Sequence, residues 1–330
     1  MPFSDMVQAE LEQYRPSIPE PDDFDAFWSE TLEEARRHDL AVERVAGDTP
    51  VTELLIEDLT FAGFGGEPIR AWVTRPKRSG SRLPAVIEYN GYNGGRGLAG
   101  ERLQWAAAGY VHVFMDTRGQ GSGWGSGGAT ADPHGSGPAG PGFMTKGIES
   151  PKEYFYRRVF TDAVRLVDAV RTLEFVDIDH ITVTGASQGG AISLAVAALV
   201  PNLRAVMPDV PFLCDFRRSV ELTPDDPFTE ITRYLAVHRN RVEQVFQTLS
   251  YFDGVAFARR AAAPALFSVA LMDTIVLPST VYAAFNHYAG RDKAIEVYPF
   301  NGHEGGQMHQ WVRQVRWLKA REIANSGFAS

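Results

Sequence analysis

The stretch Gly185-Ala186-Ser187-Gln188-Gly189 constrains this chain more than any other. It stands between a β-branched run, Ile181-Thr182-Val183-Thr184, and an apolar helical segment at 188–200. A hydroxyl presented on a tight strand-to-helix turn needs small residues two before and two after it, because the flanking backbones approach closely. Gly185 and Gly189 supply them, and Gly190 and Ala191 add room. The N–H of Gln188, at the start of the helix, can face negative charge developing beside that hydroxyl. The bland alternative is a glycine-rich turn with an incidental serine. The position between strand and helix favours a nucleophile.

A nucleophilic serine needs a base, and that base needs an orienting acid. His287 and His309 fall inside helical patterns. His303 lies just after the last strand-like run, in Asn301-Gly302-His303-Glu304-Gly305-Gly306, where a loop can swing an imidazole over the elbow. Two acids end strand-like runs: Asp209 and Asp273. Asp273 follows the penultimate run, the commoner place in folds that order their residues Ser, acid, His; Asp209 could instead brace the segment after it. A second oxyanion donor is expected from the loop after the third strand, Asn90-Gly91-Tyr92-Asn93-Gly94-Gly95-Arg96-Gly97, with the Tyr92 N–H as the choice. A phosphate-binding reading of these glycines is disfavoured, since no GxxxxGK[ST] loop occurs.

The rest of the chain fits that site. Runs at 51–61 and 67–74 alternate like an antiparallel hairpin. Strand-like segments at 84–89, 110–115, 181–184, 204–207, 265–271 and 294–298 then alternate with helical ones at 99–108, 157–174, 188–200, 279–288 and 307–322. Such alternation predicts a mostly parallel sheet with helices on both faces. The fold class expected is α/β, of α/β-hydrolase type, with a sheet of about eight strands. The whole of 1–330 reads as one domain. Residues 1–45 form an extended segment and a helix, and 212–258 a helical cap-like insertion. Residues 15–23 are proline-rich and extended, 24–38 are helical, and 119–150 form a long Gly/Pro-rich loop. The Phe24–Trp28 face is suited to wrapping a neighbour or the chain's own core.

Charge narrows the partners. The net charge is −9, which opposes phosphate backbones and anionic lipid surfaces. The expectation is no nucleic acid and no membrane. Cys214 is the one cysteine, so no intrachain disulfide is possible. The N-terminus carries no basic-then-apolar leader, and the longest apolar stretch, 191–200, is short for a bilayer, which makes the cytoplasm the default location.

Motifs along nearly the whole chain resemble the acetyl xylan esterase and cephalosporin C deacetylase group, carbohydrate esterase family seven. They are Gly91-Tyr92-Asn93-Gly94-Gly95-Arg96-Gly97, Arg118-Gly119-Gln120-Gly121, Gly185 to Gly190, Asp209 to Cys214, Thr248 to Gly254, Leu271-Met272-Asp273 and His303-Glu304. The resemblance implies deacetylation of short acetylated xylo-oligosaccharides and other small acetyl esters, cephalosporin C among them, with no metal or organic cofactor. It implies Ser187, Asp273 and His303 as the catalytic set, with Tyr92 and Gln188 lending oxyanion N–H groups. It implies a hexamer, a trimer of dimers. Phe212, Pro227, Ile275 and Tyr92 become candidate walls of an acyl pocket. Gln120 between glycines is expected to hold a tight turn. Arg118 either pairs with Glu304 and clamps the histidine loop, or caps a carbonyl-rich turn. In one place the chain departs: Val276-Leu277-Pro278 stands where the family often has Cys-Pro-Pro, which bears on the shape of the acyl pocket. Rival readings are a broader carboxylesterase, a peptidase-like member of the same fold and a non-catalytic scaffold. The scaffold is disfavoured by the intact serine, histidine and elbow glycines.

Overall fold

The computed structural model describes residues 5–77, 81–134 and 142–326, with side chains as far as residue 322. The stretch 135–141 of the long loop lies outside the described residues. Nine strands make one sheet. They are β1 Glu43–Ala46, β2 Leu54–Ala62, β3 Pro68–Pro76, β4 Leu83–Tyr89, β5 Val111–Met115, β6 Val176–Ala186, β7 Ala205–Asp209, β8 Ala265–Ala270 and β9 Lys293–Tyr298. Their spatial order is 1-2-3-5-4-6-7-8-9. From β1 through β3 to β5 the pairing is antiparallel. From β5 onward it is parallel. This is the expected α/β-hydrolase class, with one strand more than expected. The extra strand, β1, reads Glu-Arg-Val-Ala and is mostly exposed, so it lacks the apolar alternation that marks a half-buried strand.

Alternation along the parallel strands builds both layers. On β4, Ala85, Ile87 and Tyr89 enter the larger core, while Val86 faces the smaller one with Trp105 and Leu318. On β7, Val206 joins the larger core and Ala205 and Met207 the smaller. Helix Gln188–Leu199 has no polar stripe, and ten of its residues are buried; a helix apolar all round belongs inside. Helix Phe155–Val170 covers the same face. The helix expected over 99–108 shrinks to Gln104–Ala107, since Gly97 and Gly100 take left-handed φ values of 66° and 97°.

Helices Phe216–Leu222, Phe228–Val237, Val242–Ser250 and Gly254–Ala258 lie between β7 and β8, within the expected 212–258 insertion. The N-terminal helix Phe24–Arg36 packs on helix Phe155–Val170 and on the end of the insertion around Tyr251, Phe252 and Phe257. Trp28 is 1% exposed, lies tilted against Phe160 and edge-to-face with Phe252 and Phe257, and donates from its indole N–H to the Tyr251 carbonyl at 3.0 Å. Of the two roles considered for the Phe24–Trp28 face, it serves the chain's own core.

Candidate active site

At the end of β6 the backbone turns sharply. Ser187 adopts φ 56° and ψ −116°, a region costly for any residue with a Cβ, on the order of 1–3 kcal/mol. Three main-chain hydrogen bonds hold it there. The Ser187 N–H donates to the Asp209 carbonyl at 2.9 Å, and the Ser187 carbonyl accepts from Ala191 and Phe212 at 3.1 and 3.0 Å. The turn is possible because of its glycines. A Cβ on Gly189 would sit 2.2 Å from the Tyr89 carbonyl oxygen, and one on Gly185 2.6 Å from Gly189.

His303 stands over this turn. Its Nε2 is 3.0 Å from Ser187 Oγ and its Nδ1 is 2.9 Å from Asp273 Oδ2. Asp273 is fully buried, and its other oxygen accepts the N–H groups of Ile275 and Val276, each at 2.9 Å. With Oδ1 so occupied, Oδ2 is turned to the imidazole, which fits Nδ1 as the protonated nitrogen and leaves Nε2 free to accept from the serine hydroxyl.

The other acid lies elsewhere. Residues 205, 207 and 209 alternate onto one face of β7, and Asp209 faces the C-terminal helix Gln307–Ser326. Its carboxylate accepts from Ser268 at 2.9 Å and from Gln310 and Gln314 at 2.8 Å each. Burial pushes it up to about 7, against the pull of those three donors.

Gln188 begins its helix, where a main-chain N–H has no partner within the helix. Its side chain is locked: Oε1 accepts from Gln120 at 2.9 Å and from the Tyr156 hydroxyl at 3.0 Å, and Nε2 donates to Gln120 Oε1 at 3.0 Å. Gln120 Oε1 also accepts the Asn93 N–H at 2.8 Å. Gln120 therefore joins the elbow to the loop after β4, beyond the turn-holding role expected of it. On that loop the Tyr92 phenol donates to Glu230 at 2.7 Å, and the Tyr92 carbonyl accepts from the indole of the exposed Trp124 at 2.7 Å.

A cavity of about 600 Å³ opens over the serine, lined by Tyr92, Trp124, Ser187, Pro227, Glu230, Ile275 and His303 among others. Phe212, expected as a wall, does not line it. It is 1% exposed and stands behind the wall, its ring 6.3 Å from that of Tyr92 and 4.4 Å from that of Phe228.

The Arg118–Glu304 pair does not form. Arg118 is fully buried and makes a two-pronged bond to Asp162, at 2.6 and 2.8 Å, with further contacts to Glu67 and Asp132. It ties the end of β5 to helix Phe155–Val170 and to the β2–β3 turn, and the alternative of a capped carbonyl-rich turn does not describe it either. Glu304 is exposed and accepts from Asn301 at 2.9 Å. Its carboxyl is held below the usual range, first by that amide. Among the described residues no cluster of three or more His, Cys, Asp or Glu could hold a metal ion, and no helix is long and apolar enough to cross a membrane.

A parallel sheet with an antiparallel lead-in, and a serine on the strand-to-helix turn at its centre, define an α/β-hydrolase. The acetyl xylan esterase family model matches residues 1–321. Two solved structures are similar over 96% of this chain and 99% of theirs. The acetyl xylan esterase of Paenibacillus sp. R4 is 37% identical with a TM-score of 0.89, and acetyl xylan esterase 1 of Thermoanaerobacterium sp. JW/SL YS485 is 34% identical with a TM-score of 0.88. The acetyl esterase Axe7A of Xylanibacter ruminicola is 26% identical over 332 residues, covering 93% of this chain and 69% of that protein. The chain belongs to the acetyl xylan esterase family, whose members are carboxylic ester hydrolases.

Proposed function

We propose that this protein removes acetyl groups from small acetylated carbohydrates, xylo-oligosaccharides foremost, through an acetyl-enzyme on Ser187. The observation that carries the reading is the unbroken hydrogen-bonded line from Ser187 through His303 to Asp273 at the floor of a cavity. Ser187 Oγ attacks the acetyl carbonyl while its proton passes to His303 Nε2. Asp273 stabilises the imidazolium and keeps its orientation. The N–H groups of Gln188 and Tyr92 receive the developing oxyanion. Collapse expels the sugar alcohol, which takes the proton from His303. Water then takes the alcohol's place, gives its proton to His303 Nε2 as it attacks the acetyl carbonyl, and His303 returns that proton to Ser187 Oγ as acetate leaves.

The names of the relatives support the substrate class. Tyr92, Pro227 and Ile275 at the cavity wall support an acyl site of limited depth. Cephalosporin C, an acetyl ester of a different alcohol, belongs to the same proposed range, because the reacting acetyl group is the same. The proposal extends to one hydrolase domain over 1–330, a closed hexamer in the cytoplasm, and no metal or cofactor. Turnover of nitrophenyl acetate, butyrate and octanoate under one set of conditions tests the acyl side. In an open apolar cleft each added methylene gains roughly 1 kcal/mol, so kcat/KM rising steadily with acyl length would sink the deacetylase reading. Acetate well ahead of octanoate is the expected result. Light scattering tests assembly, with a persistent 36.4 kDa particle as the contrary outcome.

A further inference from the structure

Three carboxylates line the cavity without a part in the steps above, Glu88, Asp226 and Glu230, and Glu230 is the one that bonds to Tyr92. Glu230 lies on helix Phe228–Val237 in the insertion, is 7% exposed and lines the cavity over the serine. Its two oxygens are used on different segments. Oε1 accepts the Tyr92 phenol at 2.7 Å, and Oε2 accepts the Met144 N–H at 3.0 Å. The phenol oxygen in turn accepts the Phe143 N–H at 2.7 Å. The phenol is pushed up by burial and by the Glu230 charge, so it remains a donor. Three segments distant in the chain thus meet at one carboxylate: the loop after β4, the end of the long loop and the cap. The meeting leaves no slack, since Gly142 has a φ of 99° and a Cβ there would lie 2.1 Å from Glu230 Oε1.

We propose that Glu230 is a positioning residue that sets the depth of the acyl site by holding Tyr92 in place from the cap. The proposal rests on the reading of Tyr92 as an acyl wall and oxyanion donor. A carboxylate suits the task because both incoming groups are donors. An amide is a poorer partner: with its oxygen on the Met144 N–H, its NH2 faces the phenol, which already accepts the Phe143 N–H and loses the acceptor for its own O–H. Released from Glu230, the Tyr92 ring gains freedom at the acyl wall and its main-chain N–H drifts from the oxyanion position. A shift of about 1 Å at such a group can cost on the order of a hundredfold.

The experiment compares wild type, Glu230→Gln, Tyr92→Phe and the double variant on nitrophenyl acetate and butyrate, with rates normalised to active sites by burst titration and Ser187→Ala as control. Glu230→Gln should lower kcat for acetate roughly tenfold or more and reduce the acetate-to-butyrate ratio of kcat/KM by about tenfold. Tyr92→Phe should move the ratio in the same direction. The double variant should be no worse than the poorer single one, since both remove the same link. An unchanged ratio in Glu230→Gln, or additive losses in the double variant, would overturn the proposal. Tyr92→Phe removes one oxygen only, so an unchanged ratio there overturns it even if Glu230→Gln does not fold. Activity in Ser187→Ala would instead strike the underlying mechanism, a separate outcome.

Discussion

The main-chain N–H of Met272 donates to the carbonyl of Asn301 at 3.0 Å. With the Leu271 N–H bond to the Tyr298 carbonyl, this bond ties together, past the strand ends, the loops after β8 and β9 that carry Asp273 and His303. Asp273 and His303 are thus linked through the main chain as well as through their side chains. The Ser187 N–H bond to the Asp209 carbonyl ties the elbow to the end of β7.

Ser187→Ala should abolish ester turnover by roughly four to six decades while leaving the fold intact. Ser187→Gly should be equally inactive yet melt at a higher temperature than Ser187→Ala, because glycine accepts φ 56° without strain. Equal melting points for the two variants would argue that the elbow stores no strain.

Asp273→Asn should lower kcat by about four decades, since an amide beside Nδ1 favours the wrong tautomer. Asp209→Asn should stay within about tenfold of wild type, because Asp209 faces Gln310 and Gln314 and not the imidazole. Steady-state kinetics on both folded variants decides; a larger loss at Asp209 would reassign the acid.

Asp209 should also leave a mark on stability. Its folded carboxyl is raised to about 7, against about 3.9 when unfolded. The native state then holds the proton more tightly. The contribution is fully present below about pH 4 and is lost as pH rises through 7. Denaturant melts of wild type and Asp209→Asn at several pH values should show wild type losing ground to the variant between pH 4 and 7. Parallel curves would contradict this.

Arg118→Lys should destabilise the protein by about 3 kcal/mol or more, because a point charge cannot match the two-pronged bond to buried Asp162. Activity per folded site should change less than tenfold, given that Arg118 makes no contact with Glu304. Calorimetry paired with burst titration measures both; an unchanged melting temperature would refute the assignment.

The elbow was legible because its requirements are local: five residues, a strand before and a helix after. The place of His303 beside Ser187 is legible in chain order and in its position after the last strand. Asp209 and Asp273 are harder to tell apart in sequence. Both close buried parallel strands, which are apolar on both faces and do not reveal in sequence which side an alternating residue takes. Arg118 misled because its partner, Asp162, lies 44 residues away inside a helix, while Glu304 was the acid adjoining the candidate base. Glu230 gave no signal: it meets Tyr92 across 138 residues, and an isolated glutamate in a helical insertion looks like solvated surface.

The packing of Trp28 bears on how this protein is made. Its hydrogen-bond partner is Tyr251, 223 residues later, beside the Phe252 and Phe257 rings that complete its cage. At about 5–20 residues per second of synthesis, Trp28 waits on the order of 11–45 s for Tyr251 to emerge. Phe160 emerges earlier and covers one side of the indole, but until Tyr251, Phe252 and Phe257 follow, the ridge stays partly bare, apolar surface of the kind that exposes a nascent chain to aggregation.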